Sequence, residues 1–206
     1  MRTDTIETFL AQLAARVPAP GGGATAALHA AQAAALVAMV ARYSDSAKFA
    51  DHAAEITTIA TTADRLRENA LGLAEEDAAA FTAVTEAYGL PKGDPEEAAA
   101  RSAAIAQALV AAAHVPAIVI AVAGQVLTLA EQLLPIGNRN VISDVAAAAE
   151  AARAAATTAR VNVEINLGGI KDPATWGELA AVAGTVDDLV ARAEKVTAAV
   201  RDGLVR

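Results

Sequence analysis

A chain of 206 residues suits one domain, and at 55% hydrophobic it can bury a substantial core. Alanine dominates and aromatics make up only 3%, a composition that favours helices over strands. A formal net charge of −8 argues against a general nucleic-acid binder, and the absence of cysteine excludes disulfides and thiolate metal sites. The expectation is an all-α protein, 1–206 as a single antiparallel bundle of long helices. Small side chains make its core thin per helix, which gives it reason to dimerise.

In chain order, Thr3 to Arg16 reads as a first helix, with Ile6, Phe9, Leu10, Leu13 and Val17 at 3/4 spacing. Thr3 or Asp4 can cap it. Met1-Arg2-Thr3-Asp4 leads into this amphipathic pattern rather than an apolar run, so no signal peptide is expected. Next comes Pro18-Ala19-Pro20-Gly21-Gly22-Gly23, which interrupts alanine-rich helix on both sides. Three glycines are costly inside a helix. They offer bare backbone, positive φ and close approach to a ligand. They also open into a helix whose first N–H groups have no internal partner. A tight connector explains the run equally well.

A second helix is expected from about Ala24 to Arg42, and Ser44-Asp45-Ser46 breaks it. The third runs from about Ala47 to Tyr88, ended by Gly89 and Pro91. The fourth starts near Pro95, bends or restarts at Pro116 and reaches about Leu134. A helix from Asn140 to Asn166 ends at Gly168-Gly169. Asp172-Pro173 opens a final segment whose last helix spans about Val186 to Val205. Two stretches, Val17 to Ala41 and Ser102 to Ala130, carry no Asp, Glu, Lys or Arg. They are long enough to span a membrane. Their alanine, proline and glycine content, and Gln32, Gln107, His114 and Gln125, suit buried bundle helices instead.

Among side chains with chemistry, Asp77 stands out. Counting by threes and fours gives Leu66, Ala70, Leu73, Asp77, Phe81, Val84 and Tyr88, so this carboxylate sits on an apolar stripe. Burial would raise its pKa and suit it to general acid or base work. A wetter interface at that point, or a structural arginine partner, is the alternative. Asn138, Asn140, Ser143 and Asp144 cluster in GNRNVISD, where turn and cap chemistry is an equally good account. Asn162 and Asn166 share a helix face, for recognition or for an interhelical network. Lys92 lies in a loop, and Arg42 and Lys48 flank the turn after the second helix. His29, His52 and His114 have no mutual metal spacing, and no nucleotide-loop consensus follows the glycines.

Four ordered motifs carry a family resemblance: FLAQLAARVPAPGGGATAALHAAQAAALVAMV, DAAAFTAVTEAYGLPK, GNRNVISD and NVEINLGGIKD. Together they resemble the cyclodeaminase/cyclohydrolase family of folate enzymes. The family includes the C-terminal domain of formimidoyltransferase-cyclodeaminase and stand-alone methenyltetrahydrofolate cyclohydrolases. The resemblance implies an all-helical homodimer with a tetrahydrofolate site near the subunit interface. It places Asp77 on the family's proposed catalytic carboxylate and Gly21, Gly22 and Gly23 on its glycine turn. Lys92 falls on the leucine-proline-lysine loop; Asn138, Ser143 and Asp144 on the Gly-Asn…Ser-Asp motif; Asn162 and Asn166 on the late Asn pair. Relatives usually carry a glycine and two or three basic residues where this chain reads Ser44-Asp45-Ser46-Ala47-Lys48-Phe49. Lys48 alone is left there to meet a folate carboxylate.

The expected activity is hydrolysis of 5,10-methenyltetrahydrofolate to the 10-formyl compound, by acid/base catalysis in the cytoplasm. No metal or tightly bound cofactor is expected, and neither nucleic acid nor membrane as a partner. Cyclodeamination of formimidoyltetrahydrofolate is the alternative reaction, and a non-catalytic helical dimer the alternative class.

Overall fold

The computed structural model describes residues 1–204. Among them are seven α-helices, two short 3-10 helices and no strand. The helices are α1 (Ile6–Leu13), α2 (Gly22–Arg42), α3 (Ala53–Gly89), α4 (Pro95–Ile136), α5 (Ser143–Leu167), α6 (Pro173–Gly184) and α7 (Val186–Leu204). The expected all-α class holds. The expected extension of the last helix to Val205 falls on a residue outside the described ones.

Alanine decides how these helices pack. Every buried residue of α2 is Gly, Ala or Val, and every buried residue of α5 is Ala or Val. Side chains this short let helix axes approach closely. They also bury little area each, so the larger groups come from the surroundings: Ile56, Ile59, Leu66 and Leu73 of α3, Ile120, Leu127 and Leu133 of α4, and Leu189 and Val196 of α7. Helix α2 is the centre, packed along α3 and α5 and crossed by α4.

Side-chain contacts fix the directions. Arg42 pairs with Asp64, and Gly23 lies against Asp77, so α2 and α3 are antiparallel. The Asn138 N–H donates to Ser44 Oγ at 2.9 Å, and Gly22 lies near Asn162, so α2 and α5 are antiparallel as well. Between α5 and α7 the Thr197 hydroxyl donates to Glu150 at 2.8 Å and Arg160 to Asp187 at 2.6 Å, again in antiparallel register.

Several boundaries differ from the sequence expectation. Helix α1 starts later, capped by Thr5, whose hydroxyl accepts from the Thr8 N–H. Helix α2 begins at Gly22, so two of the three glycines lie inside its first turn. No described glycine has positive φ, and of the three only Gly23 is required by space, since a Cβ would meet nothing within 4 Å at Gly21 and only ordinary contact at Gly22. A separate 3-10 turn, Ala47–His52, precedes α3, and another, Arg139–Val141, precedes α5. Helix α4 runs through Pro116 without a break. Proline removes the N–H that would bond the carbonyl four residues back. That carbonyl, on Ala112, accepts from Asn166 Nδ2 at 3.3 Å instead.

By length and composition α2 and α4 are apolar enough to cross a membrane, yet 61% and 50% of their most apolar windows are buried within the fold. Their place at the centre of the bundle accounts for that composition.

Among the described residues Ser44 is the buried polar exception, 0% exposed. Its hydroxyl donates to Val40 O at 2.8 Å and accepts the Asn138 N–H. It therefore joins the end of α2 to the turn before α5. Replacing it with alanine strands the Asn138 N–H. We expect Ser44→Ala to lose about 1–3 kcal/mol in chemical denaturation without change in helix content.

Candidate active site

Asp77 lies in the middle of α3, opposite the start of α2. The contact is possible because residue 23 is glycine: a Cβ there would overlap the Asp77 carboxyl carbon and Oδ1 and stand 2.6 Å from Oδ2. Gly23 is buried and helical, so the constraint is space rather than backbone conformation. The carboxylate thus reaches the unpaired N–H groups of the first turn of α2, and Ala24 N–H bonds to it. Burial pushes the Asp77 carboxyl above its ordinary value of 3.8, and the Ala24 hydrogen bond draws it part of the way back. Among the described residues no basic side chain is paired with Asp77, which speaks against the structural-arginine alternative.

A cleft of about 170 Å³ opens at this point, bounded by the Pro18–Gly23 turn, Asp77, Phe81, Ala112, Asn162 and Asn166. The turn contains a cis peptide at Ala19–Pro20. Across the cleft α5 presents its Asn pair. Asn162 Nδ2 donates to Thr158 O at 2.8 Å; Asn166 Nδ2 donates to Asn162 O at 2.8 Å and to Ala112 O. Backbone carbonyls thus take both amide nitrogens, leaving each Oδ1 as an acceptor. The cleft therefore combines one carboxylate of raised pKa, two amide acceptors, helix N-terminal donors and an aromatic ring. A general acid/base in a partly enclosed site is the chemistry this set can perform. Among the described residues, no three His, Asp or Glu side chains form a metal-ligand set.

The sequence candidates fall into two groups. Gly21, Gly22, Gly23, Asp77, Asn162 and Asn166 meet at the cleft. Lys48, Asn138, Ser143 and Asp144 do not line it. They gather at the opposite end of α2, where Asn138 Nδ2 donates to Tyr43 O at 2.8 Å and its Oδ1 accepts the Asn140 N–H at 3.0 Å. Twenty-one helical residues separate the two ends, about 30 Å. Lys92 stands exposed on the loop beyond α3. Sequence reasoning missed Phe81 and Ala112 as lining residues. The i, i+4 spacing from Asp77 was the available signal for Phe81; for Ala112 it was its place four residues before Pro116.

The arrangement has known counterparts. A family model described as Formiminotransferase-cyclodeaminase matches residues 5–185. The chain is 42% identical over 172 residues to the methenyltetrahydrofolate cyclohydrolase of Methylorubrum extorquens, covering 83% of each. It is 32% identical over 169 residues to the formimidoyltransferase-cyclodeaminase of Mus musculus, of which it spans 31%. A crystal structure of formiminotetrahydrofolate cyclodeaminase from Thermotoga maritima superposes with a TM-score of 0.84 at 30% identity, covering 100% of this chain and 99% of that one. With motifs, helical architecture and sequence in agreement over most of its length, the chain belongs to the formiminotransferase-cyclodeaminase family.

Proposed function

We propose that this protein hydrolyses 5,10-methenyltetrahydrofolate to 10-formyltetrahydrofolate, with Asp77 as general base and then general acid. The observation that carries the reading is the desolvated Asp77 carboxylate in a cleft, within a chain similar over most of its length to a cyclohydrolase. The substrate's amidinium carbon bridges N5 and N10. Water adds to that carbon as Asp77 takes its proton. The C–N5 bond then breaks, Asp77 returns the proton to N5, and the hydroxyl proton leaves to solvent as the formyl group forms. An acid whose pKa is moved toward neutrality suits both transfers. The Asn162 and Asn166 amide oxygens accept from pterin N–H groups, and the glycine turn allows the ring close to backbone. The step uses water and a carboxylate, and calls on no cofactor.

Cyclodeamination has its own support, because the Thermotoga maritima protein of the same fold is a cyclodeaminase. There N10 attacks the formimino carbon and ammonia leaves, at the same carbon.

The active form we propose is a homodimer in the cytoplasm. The outer face of α2, from Thr25 through Leu28, Gln32, Leu36 and Met39 to Tyr43, has no charged side chain. Ile6 and Leu10 of α1 adjoin it and are exposed. A two-fold interface pairs the same surface on both copies. Two antiparallel α2 helices would bring the cleft of one copy beside the Lys48, Asn138, Ser143 and Asp144 end of the other. A cleft of about 170 Å³ is small for a whole folate, so a second wall is needed. Lys48 and Lys92 are then the candidates for the glutamate tail.

Three outcomes test this reading. Wild-type protein should accelerate the decay of methenyltetrahydrofolate absorbance, and Asp77→Asn should cut that rate about 10²–10⁴-fold. Formation of the methenyl species from the formimino compound, without its decay, would favour the deaminase. Asp77 binds its proton more tightly in the folded state, so its stabilisation is present below pH 3.8 and is lost as pH rises through the folded pKa. Asp77→Asn should therefore melt higher than wild type at neutral pH, with the gain vanishing below pH 3.8.

Gly23→Ala should leave a folded protein with turnover reduced at least tenfold, because the methyl displaces the carboxylate. Dimerisation is tested by complementation. Asp77→Asn and Asp144→Ala proteins, each inactive, should regain activity when mixed and refolded together, since each heterodimer holds one intact site. No recovery, or an active Asp144→Ala protein, would overturn a site shared between two subunits.

A further inference from the structure

We infer that Phe81 is the ring face on which the cationic amidinium of the ring-closed substrate lies, and that it separates this substrate from the ring-opened product, which lacks that charge. The inference rests on the folate reading above and adds a specificity-determining residue to it. Phe81 follows Asp77 by four residues on α3, so the two side chains share one helix face and one cleft. It is one of only three phenylalanines in the chain and is 49% exposed. Single exposed apolar groups are ordinary on a protein surface. This one borders the cleft that holds the desolvated carboxylate, and no other aromatic side chain lines it.

The charge balance of the cleft points the same way. Among the described residues its lining carries one carboxylate and no lysine or arginine. Neutral Asn162 and Asn166 make up the far wall. Such a cleft favours a cation over an anion or a neutral group. The amidinium of methenyltetrahydrofolate is planar, delocalised and fused to the pterin. An aromatic face attracts a planar cation through its quadrupole, more strongly where water is excluded. Asp77 supplies a full negative charge to the same ligand. When the C–N5 bond breaks, the positive charge is gone and the formyl carbon swings out of the ring plane. Both attractions then weaken together, which favours release of product over its retention. Phe81 thus contributes to binding and to turnover by acting on a charge that exists only before hydrolysis.

The test compares two ligands on three proteins. KM for 5,10-methenyltetrahydrofolate and the inhibition constant of 5-formyltetrahydrofolate, which has the same glutamate but no amidinium charge, are measured for wild type, Phe81→Leu and Phe81→Tyr. Leucine keeps apolar bulk and removes the quadrupole; tyrosine keeps the ring. Because Phe81 is half-exposed, both variants should fold, with melting temperatures near wild type. Phe81→Leu should raise KM about tenfold and change the inhibition constant of the 5-formyl compound less than about twofold. Phe81→Tyr should restore KM to within about twofold of wild type. An unchanged KM in Phe81→Leu overturns the inference, and so does an equal loss for both ligands, which would mark a plain apolar contact. Wild-type protein that neither binds nor turns over the methenyl compound would instead overturn the folate reading itself.

Discussion

The site depends on one steric fact: a carboxylate occupies the space where residue 23 would have a side chain. Gly23 lies in the first turn of α2, the part of a helix with unpaired N–H groups. Asp77 reaches it from the middle of a 37-residue helix. The two features need each other. Without glycine the carboxylate has no room; without the carboxylate the helix start lacks a buried acceptor. Desolvation and the Ala24 hydrogen bond then oppose one another, and desolvation is the larger. The resulting carboxyl is neither a relaxed surface acid nor a fully satisfied cap, which is the state acid/base catalysis uses.

The rest of the bundle holds this contact in place. Alanine and valine along α2 and α5 let both helices run close to the centre, so that Gly22 and Asn162 come together. Pro116 makes a second, quieter contribution. By withholding an N–H it frees the Ala112 carbonyl, and that carbonyl helps orient Asn166 at the cleft. Ser44 does comparable work at the far end, where its buried hydroxyl fixes α2 to the turn preceding α5.

Two ends of one helix define the functional question. The cleft sits at the N-terminal end of α2, and the Asn138, Ser143 and Asp144 turn at its C-terminal end. A ligand on one protomer cannot touch both across about 30 Å. In the proposed homodimer, the uncharged face between them, together with Ile6 and Leu10 on α1, is the surface that would bring the ends of two copies together. A small alanine core gives a further energetic reason for such pairing, because it leaves much of the stabilising area to be found outside the protomer.

By itself the sequence determined the helical class, the positions of most turns and the identity of Asp77 as an acid out of place on an apolar stripe. These are local or periodic properties, and alanine content, proline, glycine and 3.6-residue spacing report them directly. It also marked the glycines as places of positive φ or close approach; positive φ is absent, and close approach holds at Gly23, where the missing Cβ makes room for Asp77. Only the tertiary structure decided that Gly23, Asp77, Asn162 and Asn166 share a cleft while Lys48, Asn138, Ser143 and Asp144 lie elsewhere. It alone gave Phe81 its place beside the carboxylate and turned Pro116 from an expected bend or restart into the source of a free carbonyl. Those outcomes depend on which helices pack against which, and in what register. In a chain built so largely of alanine, the side chains along any one helix are too alike for their order to specify it.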